Sequence, residues 1–312
     1  MSGFLHPNRR LLAQKNRFSY RFGQTTLTLG LVNNMSGPAI HATTKQFHDL
    51  VMEAAGNIPL SLKIFAPFAN PRHQTAQVSH SERYLDVEKL WTAKFDGMIV
   101  TGTEPKSTSL LDEPCWPFFK RLIKWSEDHV SSVIWSCLAT QAAVYYLDGI
   151  ERQPLTAKLS GIFDCEKYQT HPVLDGCPSH WSVPHSRYND LPERNLLSRG
   201  YQILTRSDVA GADIFTKSTK CLHFFLQGHL EYDGDVLSRE YRRDVRRFLL
   251  GETDRYPDVP SRYFSPAAAA AFDDFRKGAL NTRRPGMMAD FPRNADTIGV
   301  PWRQVAIAFY RN

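Results

Sequence analysis

Between Thr26 and Cys137 short apolar runs alternate with stretches of helical periodicity, and this alternation constrains the fold more than any other feature of the chain. Thr26–Val32 (TLTLGLV) reads as a buried strand, a short run rich in β-branched and leucine residues and bounded by polar ones. In Thr43–Ala55, Phe47, Leu50, Val51 and Ala54 recur at helical spacing, with Gly56 placed to close the helix. Leu60–Phe65 and Phe95–Val100 are further strands, Trp116–Trp125 is a helix, and Ser132–Ser136 is a strand that runs directly into Cys137. Strand, helix, strand, helix at these spacings predicts an α/β fold, a mostly parallel sheet with helices on both faces. Ligands of such sheets sit beyond the carboxyl ends of the strands. Thr101–Pro105 and Cys137 both follow strand ends, so one crevice can hold both.

After Gly149 the rhythm changes. Tyr201–Thr205, Ala212–Lys217 and Leu222–Leu226 are short strands with tight connections, which predicts an antiparallel extension, and Val236–Leu250 is a helix. Residues 1–251 read as one domain. Residues 252–312, rich in Arg, Pro and Ala with a helical piece at Ala267–Ala271, read as a C-terminal extension that is only partly packed. The polar stretch Ala66–Arg83 reads as a long loop.

Several function classes are disfavoured. No apolar run approaches the ~20 residues of a membrane-spanning helix. Arg9 and Arg10 precede only Leu11-Leu12-Ala13 before polar residues resume. A secretory signal needs an apolar region of roughly 7–15 residues, so a cytoplasmic location is expected. The five cysteines are widely spaced without a Cys-x-x-Cys pair, so neither a disulfide framework nor a metal site is expected. The formal charge of +6 admits anionic partners. However, Arg242-Arg243 and Arg246-Arg247 carry no interleaved aromatic platform, and nucleic acid is not an expected partner.

Chemistry concentrates at two places. In Ile134-Trp135-Ser136-Cys137-Leu138-Ala139-Thr140-Gln141 an apolar strand ends, a cysteine follows, and helix-favouring residues begin at once. This is the layout of a nucleophile elbow. The helix N-terminus stabilises a thiolate there, and the free backbone N–H of Leu138 can bind a developing oxyanion. Phe225-Leu226-Gln227-Gly228-His229-Leu230-Glu231 supplies a base and its orienting partner: His229 follows a strand and a glycine, and Glu231 lies on the same side if the segment is extended. A buried cysteine is usually a small core residue, and a His-x-Glu is common among eleven histidines. Together, at the ends of core strands, they predict cysteine nucleophilic chemistry, with hydrolysis, amidotransfer and acyl transfer all open.

The chain resembles the homoserine O-acyltransferases of the homoserine trans-succinylase type, relatives of the class I glutamine amidotransferases with their flavodoxin-like sheet. The resemblance runs from about Leu31 to Pro266. It is carried by Asp96–Gly102, Trp125–Ser132, Cys137 with Gln141-Ala142-Ala143, Lys158–Gly161, Pro184–Tyr188, Gly228–Asp233 and Glu240–Val245. It implies Cys137 as acyl-thioester nucleophile, His229 as proton acceptor, Glu231 as its partner, and Lys158, Ser186 and Arg243 at substrate-binding positions. An arginine on a helix suits a bidentate clamp on an amino acid's carboxylate, whereas Arg242, Arg246 and Arg247 read as surface ion-pair partners. The implied substrates are an acyl-CoA as co-substrate and a hydroxy-amino acid, homoserine foremost and serine as an alternative. No permanently bound cofactor is implied, and a homodimer is one open arrangement.

The sequence departs from the family where its usual pair of lysines is replaced by Ser36-Gly37-Pro38-Ala39. Lys106 and Glu104 fall where the family tunes its acyl group. A lysine there would pair with succinate's free carboxylate and Glu104 would oppose it, which leans slightly to succinyl over acetyl. The tail after Pro266 lies outside the resemblance. Rival readings are a glutamine amidotransferase, against which Ala139 stands where glycine is preferred, and a catalytically silent binding protein on the same scaffold.

Overall fold

The computed structural model describes residues 26–37, 39–68, 84–292, 296–297 and 299–312; most of the loop expected at 66–83, and Pro38, lie outside them. The described strands are β1 (Leu27–Val32), β2 (Leu60–Phe65), β3 (Tyr84–Leu85), β4 (Gly97–Val100), β5 (Ser132–Ser136), β6 (Gln153–Lys167), β7 (His180–Asp190), β8 (Gln202–Ile203), β9 (Thr205–Ser207), β10 (Gly211–Ala212), β11 (Ile214–Ser218) and β12 (Leu222–Leu226). The α-helices are α1 (Ala39–Ala55), α2 (Trp116–His129), α3 (Leu138–Asp148), α4 (Glu193–Ser198), α5 (Val236–Leu249), α6 (Pro266–Thr282) and α7 (Arg303–Arg311).

The main sheet runs β3-β2-β1-β4-β5-β12-β11-β8. Its first six members are parallel, and β11 and β8 add antiparallel partners at one edge. Successive side chains on a strand point to opposite faces, and the core follows that rule. Val32, Val100, Trp135 and Phe225 face one way and pack with Phe119 and Leu122 of α2 and Ala139 and Ala142 of α3. Leu31 and Ile99 face the other way, against Phe47 and Val51 of α1. Phe224 and Leu226 share that second face with Val305, Ala306 and Phe309 of α7. The α/β sheet covered on both faces is therefore the observed fold. No helix among the described residues is long and apolar enough to cross a membrane.

A second sheet, β10-β9-β6-β7, is antiparallel and dominated by the long β6–β7 pair. Its strands carry Lys158 and Ser186. The alternating pattern of β6 is broken by a register shift between Pro154 and Leu159, which is why period-two reading passes over this strand.

The segment expected to be only partly packed is well integrated. Tyr263, Phe264, Phe272, Ala279, Phe291 and Trp302 are buried with Tyr241, Val245 and Phe248 of α5. Arg303 pairs with Glu53 of α1 at 2.6 Å. The physical reason is the spacing of its aromatics: the Arg, Pro and Ala composition hides a handful of large residues that each fill a place in the core.

Candidate active site

Cys137 stands where β5 passes into α3, with φ 56° and ψ −117°. A non-glycine residue held at positive φ costs on the order of 1–3 kcal/mol and persists only where its surroundings over-determine it. Here they do. The Cys137 N–H donates to the Leu226 carbonyl at 2.8 Å. The Thr140 hydroxyl donates to the Trp135 carbonyl at 2.7 Å and accepts from the Leu226 N–H at 3.2 Å. The elbow is thereby clipped to the end of β12, the strand that leads to His229.

The first N–H groups of α3 have no helical partner. The loop after β4 comes so close to them that a Cβ at Gly102 would lie 2.6 Å from the Leu138 nitrogen. A side chain there would crowd that N–H, and with glycine it can donate to an anion in the cleft.

His229 is reached through Gln227-Gly228. A Cβ at Gly228 would meet Val183 Cγ1 at 2.5 Å and Asp213 Oδ1 at 2.6 Å, so glycine lets the chain pass against β7. There the His229 N–H donates to the Pro184 carbonyl at 2.8 Å. Its Nδ1 lies 2.7 Å from Glu231 Oε1. The segment turns at Leu230 and Glu231 instead of staying extended, so the carboxylate reaches the ring by a turn. The buried Nε2 meets no hydrogen-bond partner of ordinary geometry among the described residues, and Cys137 is the group near enough to interact with the ring from that side. The ring stacks on Tyr232, with centroids 4.2 Å apart. Burial works against the imidazolium, but Glu231 and the nearby Cys137 sulfur outweigh it and hold the His229 pKa well above the ordinary histidine value.

Cys137, Leu138, His229 and Glu231 line one cleft of about 300 Å³ with Lys158, Ser186 and Arg243. The same cleft holds a charged cluster in which Lys158, Ser186 and Arg243 meet acidic partners, Glu240 and Asp244, that sequence reasoning missed. Glu240 of α5 accepts from Lys158 at 3.2 Å, from Tyr232 Oη at 3.0 Å, and from Ser186. Asp244 accepts from Lys158 at 2.9 Å and from Arg243 Nε at 2.8 Å. Burial would raise the Glu240 carboxyl, but Lys158, Ser186 and Arg243 prevail and bring it down to about 2. Lys158 is likewise desolvated, yet Glu240 and Asp244 hold its pKa above the usual lysine value. The 240/243/244 spacing puts these three on one helix face, and that spacing was the available signal.

Glu104 also lines the cleft and is held by Arg247, Nη2 to Oε2 at 2.9 Å. Lys106 is not among the lining residues: its side chain is exposed, and its backbone N–H donates to Glu113 at 3.0 Å. Beneath the His229 turn, Cys165, His185 and Asp213 bring three metal-capable atoms within 4.8 Å, the one such group among the described residues. Asp213 there accepts from Thr205 at 3.0 Å, and burial keeps the His185 pKa below the ordinary value.

The chain is similar to known proteins along almost all of its length. A family model described as homoserine O-succinyltransferase matches residues 8–312, so the tail that seemed to lie outside the resemblance lies within the family's span. A homoserine O-succinyltransferase of Methylorubrum extorquens is 42% identical over 292 residues, 93% of this chain and 86% of that one. Another, from Rhodopseudomonas palustris, is 42% identical, covering 86% of this chain and 81% of its own. Among solved structures, a glutamine amidotransferase from Methylobacillus flagellatus aligns with a TM-score of 0.51 at 17% identity, over 92% of this chain and 93% of that one, a likeness of fold. The chain belongs to the homoserine O-succinyltransferase family.

Proposed function

We propose that this protein transfers a succinyl group from succinyl-CoA to the side-chain hydroxyl of homoserine through an acyl-enzyme on Cys137. The observation that carries the reading is the convergence of an elbow cysteine, an open Leu138 N–H and the His229–Glu231 pair on one cleft. The choice of succinyl rests on the names of the relatives, because the exposed Lys106 side chain lies outside the cleft lining.

In the first half-reaction Cys137 passes its proton to His229 Nε2 and its sulfur attacks the thioester carbonyl. Leu138 N–H receives the oxyanion. The bond from carbonyl carbon to the CoA sulfur breaks, and His229 returns the proton to the departing thiolate. In the second half-reaction His229 takes the proton of the homoserine hydroxyl, whose oxygen attacks the Cys137 thioester. The ester leaves and His229 gives its proton back to sulfur. Glu231 keeps the imidazole in the required tautomer throughout. Glu240 and Arg243, one helical turn apart on α5, offer an anion and a cation to the ammonium and carboxylate of the amino acid. Arg243 does so with the N–H groups not given to Asp244. No resident cofactor is required.

Mixing with succinyl-CoA and no acceptor should leave one succinyl adduct on Cys137, read by mass spectrometry, and kinetics with both substrates should be ping-pong. An equal adduct on Cys137→Ala sinks the mechanism.

A further inference from the structure

We propose that the arginine face of α5 beyond the cleft is a docking groove for a phosphorylated nucleoside, the adenosine phosphate end of the CoA donor; this rests on the acyl-CoA reading above. Arg239, Arg242, Arg243 and Arg246 line one open groove together with Leu250. Their spacing of three, four and seven residues places them on a single helix face. Pro285, Met288 and Ala289, from the segment after α6, form the opposite wall.

Three observations point to an anionic ligand. First, four arginines and no acidic residue line the groove. Secondly, Arg242 and Arg246, expected to form surface ion pairs, are exposed and enter no ion pair or side-chain hydrogen bond among the described residues. In contrast, Arg239 is paired with Asp235 at 3.0 Å and Arg243 with Asp244 at 2.8 Å. Thirdly, Arg239 and Arg243 line both the groove and the catalytic cleft, so the two are continuous. The step from residue 239 to 246 is about 10 Å along a helix. A donor whose thioester lies at Cys137 must lead its pantetheine arm out of the cleft, and this exit places its phosphates against guanidinium groups. Arginine forks match phosphate oxygens in bidentate fashion, and the half-buried Met288 offers a soft, polarisable surface to a purine ring. The groove would thus give residues 285–289 a part in donor selection.

The test uses the full chain and the double variant Arg242→Ala/Arg246→Ala, with an unchanged thermal midpoint as the check on folding. Two readouts apply at fixed ionic strength, since exposed charges are screened by salt. One is the ratio of kcat/KM for succinyl-CoA to that for succinyl-pantetheine. The other is direct binding of adenosine 3′,5′-bisphosphate by calorimetry. We expect the ratio to fall about tenfold or more and bisphosphate binding to weaken in parallel, with a larger loss for Arg242→Glu/Arg246→Glu. An unchanged ratio, or equal bisphosphate binding by parent and variant, overturns the groove and leaves the acyl transfer standing. Arginine-dependent binding of the bisphosphate by a protein that acylates from neither donor supports the groove and sinks the catalytic reading.

Discussion

The indole N–H of Trp302 donates to the carbonyl of Tyr232 at 2.9 Å, and the Tyr232 ring in turn lies against the His229 imidazole. A residue at the start of the last helix thus buttresses the candidate base. Trp302 is 1% exposed. Trp302→Phe keeps most of the packing and should cost about 1–3 kcal/mol through the unsatisfied carbonyl. Trp302→Ala should cost about 3–5 kcal/mol. Urea unfolding checks both. If the buttress matters to chemistry, kcat of the Phe variant falls at temperatures where it is fully folded.

Gly102→Ala tests the oxyanion site without touching Cys137. The added methyl would crowd the Leu138 nitrogen and the Ser136 carbonyl. Loss of one oxyanion donor typically costs about 10²- to 10³-fold in kcat, and that is the expected loss. Retained wild-type turnover would remove Leu138 from the mechanism.

Glu231→Gln removes the charge that outweighs burial at His229. The imidazole pKa should drop toward or below the ordinary value, which histidine ring NMR follows directly. Turnover should fall about 10²- to 10⁴-fold, because the neutral amide neither steadies the tautomer nor stabilises the imidazolium.

Glu240 makes a prediction about acid stability. Its folded pKa is depressed to about 2, whereas an unfolded glutamate sits near 4.3. The stabilisation is therefore fully present above the unfolded value and is lost as pH falls from about 4.5 toward 2. It should amount to about 3 kcal/mol. Glu240→Gln should flatten the stability profile through that window, measured by urea unfolding at stepped pH. An equally steep profile in the variant assigns the acid sensitivity to other carboxylates.

The parallel sheet and the elbow were legible because their signals are local. Ser132–Ser136 running into Cys137 reads as a strand with a nucleophile at its end, and the strands that flank it are short apolar runs. The long β6–β7 pair was not legible as strands: β6 is only partly buried and bears a register shift, so it lacks clean alternation. Lys158 and Ser186 were found by resemblance, but their common partner Glu240 was not, since the cluster joins three elements and only the 240/243/244 spacing on α5 points to it locally. The burial of the tail was also hidden, because Tyr263, Phe272 and Trp302 are too far apart to form a periodic run. The turn at Glu231 reached the predicted pairing by another backbone route.

The parallel neighbourhood of β5 and β12 has a consequence for biosynthesis. When Cys137 is added to the growing chain, Leu226, which clips its elbow, is 89 positions away and His229 is 92, and the tryptophan that props its base lies further on. At roughly 5–20 residues per second the wait for both is about five to twenty seconds. Throughout it the sulfur has neither an imidazole beside it nor a clip to hold its elbow.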